Sequence, residues 1–428
     1  MLQTERAISD AISSVTDEKM TAILAKWLDH AASLEEETIT VRRHLHRHPE
    51  LSFEEKATAN FVYLELLSAK IFDIQRNVGS GYGIVAKIHG AAPGPTIALR
   101  ADMDALPINE ETDLPFKSET PGVMHACGHD IHTAALLGVA QVLQANRADF
   151  AGTVLLIFQH AEEVKPGGAK SIVEAGHLDD VDLVFGLHVN PSQAVGTVGY
   201  SLKYGSADSD TFIIDIQGSG GHASSPHKTV DSVVVAAETI SNLQTLVSRL
   251  SNPMDPIVVT VSSVDAGGGA PNIIADTARI IGTVRSSSAK GREKVKEHLI
   301  QIAKMTAIMN GAEASVDYHD GYPAIVNTKS VVEASLEAIE TSGVFTQTIE
   351  SNAANGAMMN GEDFAYYLQK VPGAYFTVGV GPDATSDGHT ATYPLHNSHF
   401  VANEAGILSA MKLFLVVLSK HLKVVPHD

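Results

Sequence analysis

The chain has 428 residues, 30 Lys plus Arg against 50 Asp plus Glu, a single Cys and 20 His. Its length points to roughly two or three domains, and an ordinary composition with 44% hydrophobic residues excludes a disordered chain, a collagen-like repeat and a disulfide scaffold. A formal charge of −20 argues against unassisted binding to nucleic acid or to an anionic membrane. No stretch offers the about 20 apolar residues of a membrane-spanning helix, and Glu5 and Asp10 interrupt the start, which does not read as a secretory signal. One cysteine cannot make an internal disulfide, so a cytoplasmic location is expected.

In chain order, residues 1–40 carry apolar residues at helical spacing (Ile8, Ala11, Ile12, Val15, then Met20, Ile23, Trp27) and predict an amphipathic extension packed on the body. Pro49 stops any helix near His48, and a further helix is expected over about 54–69. Buried strands are expected at 83–90, 96–106, 153–163 and 182–190, with a helix over 132–145 between the second and third. Strands alternating with helices predict an α/β domain with a mixed, largely parallel sheet. From about Ala207 the pattern changes to strand (211–218), helix (229–250), strands (256–267 and 277–286), helix (288–310) and strand (314–321). That is a compact, ferredoxin-like α+β unit. α/β character then returns up to a last helix near 403–422. The expected organisation is a catalytic domain over 1–206 and 321–428, with 1–35 as a helical extension, and an inserted satellite domain over 207–320.

Four clusters carry chemistry. MHACGHDIHTA (124–134) holds His125, Cys127, His129, Asp130 and His132. A thiolate and an imidazole two residues apart can meet one metal where the backbone turns, although a lone buried Cys is more commonly a small hydrophobe. FQHAEE (158–163) ends a buried strand with Glu162 and Glu163, two adjacent carboxylates of which one can bind metal while the other acts as a base. FGLHVN (185–190) places His188 at a strand end, where a satisfied core histidine is the alternative. YPLHNSHF (393–400) offers His396 or His399. Together these exceed the needs of one tetrahedral site and leave a carboxylate over, which fits a two-metal hydrolytic centre. The mixed N, O and S donors suit zinc or another late first-row ion better than magnesium.

RRHLHRHPELSFEE, ALRADMDALP, GVMHACGHDIHTA, FQHAEE, GLHV, GGHASSPH, PNIIADTARIIGTVRS, GEDFAYYLQKVPGA and LHNSHF occur in the order found in the M20 metallopeptidase superfamily. Over roughly 35–420 the chain resembles its amidohydrolase branch of hippurate hydrolases, N-acyl-amino-acid amidohydrolases and plant auxin-conjugate hydrolases. The resemblance implies that Cys127, His129, Glu163, His188 and His396 bind two divalent metals per chain, zinc or manganese, with cobalt or nickel as alternatives. It implies Glu162 as general base, and His222 in the inserted domain as oxyanion donor, in relatives across a dimer interface. Asn272 and Arg285 would hold the substrate carboxylate, and Asp104 would orient a metal ligand. The branch usually reads QPAEE, so His160 stands where a proline is common, and residues 1–35 lie outside the resemblance.

The implied reaction is hydrolysis of the amide of a small N-acyl amino acid by a homodimer or higher oligomer assembled through the satellite domain. Alternatives are an exopeptidase or dipeptidase on the same site, a hydrolase with Cys127 as nucleophile, and a metal- or ligand-binding protein without activity.

Overall fold

The computed structural model describes residues 2–252, 257–267, 269–351, 361–381 and 393–425, with side chains described from residue 18 onward. The helix-spaced start forms α1 (Leu2–Ser33), and after a one-residue break at Leu34 the chain continues as α2 (Glu35–Arg47). The second helix ends just before His48 and Pro49, as the restricted backbone before a proline requires. Trp27 is fully buried and sets its ring edge-on to Phe150 at 5.9 Å; Met20 and Ile23 are partly buried on the same stripe. The earlier members of that stripe, Ile8, Ala11, Ile12 and Val15, lie outside the described side chains.

The chain divides into two units, Met1–Lys203 with Asn327–Ser351 and Tyr366–Asp428, and Tyr204–Val326 with Asn352–Ala365. The first continues with α3 (Lys56–Ser68), β1 (Ile74–Val78), β2 (Gly83–His89), β3 (Ala92–Asp102), α4 (His129–Ala145), β4 (Phe150–Gln159), α5 (Gly168–Glu174), β5 (Leu183–Ala194) and β6 (Thr197–Tyr200).

In the second unit follow β7 (Asp210–Gln217), β8 (Gly221–His222), α6 (Ser232–Leu243), β9 (Ile257–Ala266), β10 (Ile273–Ile274), β11 (Thr277–Ser286), α7 (Ala289–Met309) and β12 (Glu313–His319). The antiparallel order β12-β7-β11-β9 is the ferredoxin-like arrangement. Phe212, Ile214 and Ile216 alternate inward from β7 against Val235, Leu243 and Leu299, the period of two that a half-buried strand imposes. One helix was expected over 229–250; instead Asp231 caps α6, its side chain accepting from Val233 and Val234 N–H, and α6 ends at Leu243. A π-type turn over Leu246–Leu250 follows. Ser241, Thr245 and Ser248 bond back to the carbonyls of Ala237, Asn242 and Gln244, a competition with the backbone ladder that loosens helices.

The chain then completes the first unit through α8 (Lys329–Thr341), β13 (Gln347–Glu350), α9 (Ala365–Lys370), β14 (Gly373–Gly381), α10 (Ala405–His421) and β15 (Lys423–Val424). Its sheet runs β1-β2-β4-β3-β5-β14-β6-β13, with β15 paired to β4. The neighbours β4-β3-β5-β14 are all parallel. Strand β14 is buried at every residue, the continuous apolar run expected of a strand covered on both faces. The fold class is therefore α/β with a largely parallel mixed sheet, accompanied by a smaller α+β unit. Among the described residues no helix is long and apolar enough to cross a membrane.

Removing the buried indole leaves a cavity between α1 and the sheet. Trp27→Ala is expected to cost about 3–5 kcal/mol, read from urea unfolding followed by far-ultraviolet circular dichroism. A loss below about 1 kcal/mol would show that α1 does not depend on that contact.

Candidate metal centre and active site

Strand β3 sends Arg100 and Asp102 to one face, and Asp104 follows just past its end. Arg100 Nη1 donates to Asp102 Oδ2 at 2.6 Å, and Arg100 Nε donates to Gln159 Oε1 at 2.9 Å. Burial works to raise the Asp102 carboxyl, but Arg100, then His129 and His132, hold it well below the usual carboxylate range. Val189 N–H donates to His132 Nε2 at 3.0 Å, so His132 carries its proton on Nδ1, which donates to Asp102 Oδ1 at 2.6 Å. Both nitrogens of His132 are thereby engaged in orienting the site. The same alternation that gave β3 could have pointed to Asp102, a residue sequence reasoning did not single out.

Cys127 and His129 flank Gly128, whose φ of +89° makes the turn into α4. A side chain at Gly128 would also meet Val189 Cγ2 at 2.3 Å, so glycine is required there on both counts. His129 Nδ1 donates to the Asp104 carbonyl at 2.9 Å, which turns Nε2 inward. Asp104 Oδ2 accepts from Ser52 Oγ at 2.6 Å and from Glu163 N–H at 3.0 Å, so Asp104 fixes both an imidazole and the acid pair. His188 Nδ1 donates to the Val189 carbonyl at 2.7 Å, leaving Nε2 at 3.3 Å from Cys127 Sγ. His396 Nε2 lies 3.3 Å from the same sulfur and 3.2 Å from Glu163 Oε1.

The choice between His396 and His399 is geometric. His396 has a left-handed φ of +63°, and its N–H donates to the Ala126 carbonyl at 2.8 Å, which swings the ring toward Cys127. His399 instead lies against Tyr393 and 3.5 Å from Glu111.

Cys127, His129 and His188 thus form one donor cluster, Cys127, Glu163 and His396 a second, and His129, Glu162 and Glu163 a third, each with donor atoms within 4.8 Å of one another. Two observations fit cations here. His129 Nε2 and Glu163 Oε1 are buried and make no hydrogen bond. The site is also crowded with negative charge. Burial depresses His129, yet Asp102, Asp104 and Glu163 together raise it to about 10. Burial, then Glu163, Glu162 and Asp102, push the Cys127 thiol well above its ordinary value. A divalent cation neutralises such charge and takes thiolate, imidazole and carboxylate together. Burial, with His132 beside it, draws His188 down to about 3, the neutral form that ligates.

His160 is fully buried, with Nε2 3.2 Å from Ser80 Oγ and its ring 5.7 Å from Phe53. It packs so closely that a side chain on Gly81 would strike it at 2.3 Å; at this position it fills space that a proline ring would not.

In the second unit, β8 and β10 pair His222 with Ile273, and Ala223 N–H donates to the Asn272 carbonyl at 3.0 Å, so His222 and Asn272 are neighbours. Ser224 N–H donates to His222 Nδ1 at 3.1 Å, which leaves the proton on Nε2. Arg285 lies on β11, half-buried, its Nη1 donating to the Val284 carbonyl at 3.0 Å.

Residues 98–417 match the model of peptidase family M20/M25/M40. An N-acetyl-L-cysteine deacetylase of Bacillus subtilis (strain 168) is 39% identical over 91% of this chain and 89% of its own. The chain belongs to peptidase family M20/M25/M40. An N-acyl-L-amino acid amidohydrolase of Geobacillus stearothermophilus is 42% identical over 68% of this chain and 78% of its own. A dinuclear metal-binding M20 peptidase of Bacillus subtilis superposes with a TM-score of 0.78 at 35% identity, over 91% of this chain and 98% of that one. The M20 family to which the chain belongs thus includes a dinuclear metal-binding peptidase.

His396→Ala and Cys127→Ala are each expected to lower the metal bound per chain by elemental analysis, whereas His399→Ala leaves it unchanged. Loss of metal in His399→Ala with none in His396→Ala would reverse the ligand choice.

Proposed function

We propose that this M20 chain hydrolyses the amide bond of N-acyl amino acids, with Cys127, His129, Glu163, His188 and His396 holding two divalent metals and Glu162 as the general base. The observation that carries this reading is the division of the acid pair. Glu163 points Oε1 between His129 and His396, while the adjacent, buried Glu162 has a carboxylate oxygen within 4.8 Å of donor atoms on His129 and Glu163. The deacetylase and amidohydrolase names of the relatives support the substrate class. The mixed donor set favours zinc, with cobalt or nickel as alternatives, and manganese enters from the family resemblance alone.

When bound, the metal pair supplies a water of lowered pKa and polarises the amide carbonyl. Glu162 takes the proton from the attacking water and returns it to the leaving nitrogen, so one carboxylate serves as base and then as acid. His222, with its proton on Nε2, donates to the developing oxyanion, a contact worth more where it is aimed in advance. Arg285 and Asn272 hold the amino-acid carboxylate, for which a planar guanidinium offers a two-pronged donor. The segment 207–320 acts as the satellite module of a homodimer or higher homo-oligomer that completes the site through His222. A lone thiol engaged as a ligand suits a reducing cytoplasm.

Glu162→Gln is expected to retain its metal and to lose about 10²- to 10⁴-fold in kcat on the preferred member of a panel of hippurate, N-acetyl amino acids and dipeptides. Retained turnover would remove the base assignment. Preference for dipeptides over every acyl amino acid would make the chain an exopeptidase.

A further inference from the structure

The acid pair leaves β4 through a kink that its own residues do not favour. Ala161, immediately before Glu162, has a left-handed φ of +51°, a region that residues with a Cβ rarely enter. Its carbonyl accepts from Gly168 N–H at 3.0 Å, and its N–H donates to Glu55 Oε1 at 2.7 Å. The same Glu55 oxygen accepts from Phe53 N–H at 3.0 Å, and Phe53 is itself left-handed, with φ +65°. One carboxyl oxygen, fully buried at the start of α3, is therefore the common acceptor for two strained segments far apart in sequence. Asp104 does the same one step further on, accepting Glu163 N–H at 3.0 Å. The peptide N–H groups on either side of Glu162 thus each end on a buried carboxyl group.

We infer that Glu55 is a positioning residue for hydrolysis, fixing through Ala161 the direction in which Glu162 leaves the backbone. The inference rests on Glu162 being the base. It assigns a role to the second acid of the SFEE stretch, which belongs to none of the donor clusters among the described residues. Burial, reinforced by the charge of Asp104, pushes the Glu55 carboxyl up to about 8, and its Oε2 has no hydrogen-bond partner among the described residues. What Ala161 and Phe53 use at neutral pH is an oxygen in the right place rather than a charge, and a glutamine amide oxygen supplies the same.

The test compares Glu55→Gln, Glu55→Ala and Glu55→Asp with Glu162→Gln and the double variant Glu55→Ala/Glu162→Gln, at matched metal content per chain. Misdirecting a catalytic group by a fraction of its length costs about 10- to 100-fold. The expected result is therefore a kcat loss of that size in Glu55→Ala, with KM within about twofold of wild type. Glu55→Gln should keep kcat within about threefold, and the double variant should be no slower than Glu162→Gln alone. A purely structural role would lower thermal stability and the active fraction, and its apparent kcat loss, which also leaves KM unchanged, would vanish once rates are expressed per active site. Should Glu55→Ala not fold, Glu55→Asp, which withdraws the oxygen by one methylene, is expected to show the same split. Wild-type kcat in Glu55→Ala or Glu55→Asp, equal losses in the Gln and Ala variants, or losses that multiply in the double variant would each overturn the inference. Turnover retained in Glu162→Gln would instead overturn the base assignment beneath it.

Discussion

Negative charge buried at the carboxyl edge of the parallel sheet is the constraint around which the first unit is arranged. Asp102, Asp104 and Glu162 are almost inaccessible to water, Glu163 lies beside them, and the Arg100 guanidinium is bonded into the group through Asp102. Isolated charges in such a place cost several kcal/mol each unless paired. The chain meets that cost with imidazoles, backbone N–H groups and a donor set shaped for cations. Parallel strands make the arrangement possible, because β3, β4 and β5 all end on the same side, where ligands collect in open α/β sheets.

A second buried network fixes the helix that delivers His129. Asp130, in the first turn of α4, accepts from Arg42 Nε at 2.7 Å and lies 2.8 Å from His46 Nδ1; His46 in turn reaches Glu110 at 3.4 Å. Burial and Arg42 pull His46 down, but Asp130 and Glu110 outweigh them and raise it. Helix α2 and the loop after β3 are thus tied to the N-terminal turn of α4, and the RRHLHRH stretch contributes rigidity. Glu55 and Asp104 tie the acid pair in the same manner, by accepting backbone N–H groups rather than by touching the reacting atoms.

Strands β2, β3, β4 and β5 and the clusters at their ends were legible in the sequence, because buried strands leave apolar runs and the polar residues that end them stand out, whereas β14, its run broken by three glycines and a threonine, was not singled out. Strands β1 and β13 were not, since IQRNV and QTIE are polar and largely exposed edge segments without an apolar run. The break after Leu243 was hidden because serine and threonine hydroxyls, not a proline or glycine, end the helix. His132, in the same cluster as Cys127 and His129, has both of its nitrogens engaged by the fold, which spacing does not reveal. His396 and His399 differ only in backbone direction, which spacing does not encode. Glu55 reads as an ordinary acid before a helix; only the return of β4 beside it, 106 residues later, gives its oxygen a purpose.

The most direct measurement is a metal titration of metal-free protein, following bound ion per chain and release of the amino acid from an N-acetyl amino acid together. The account predicts no turnover without metal, and activity that rises with occupancy and saturates near two ions per chain. Full turnover in metal-free protein, lost in Cys127→Ser, would contradict it and make Cys127 the nucleophile.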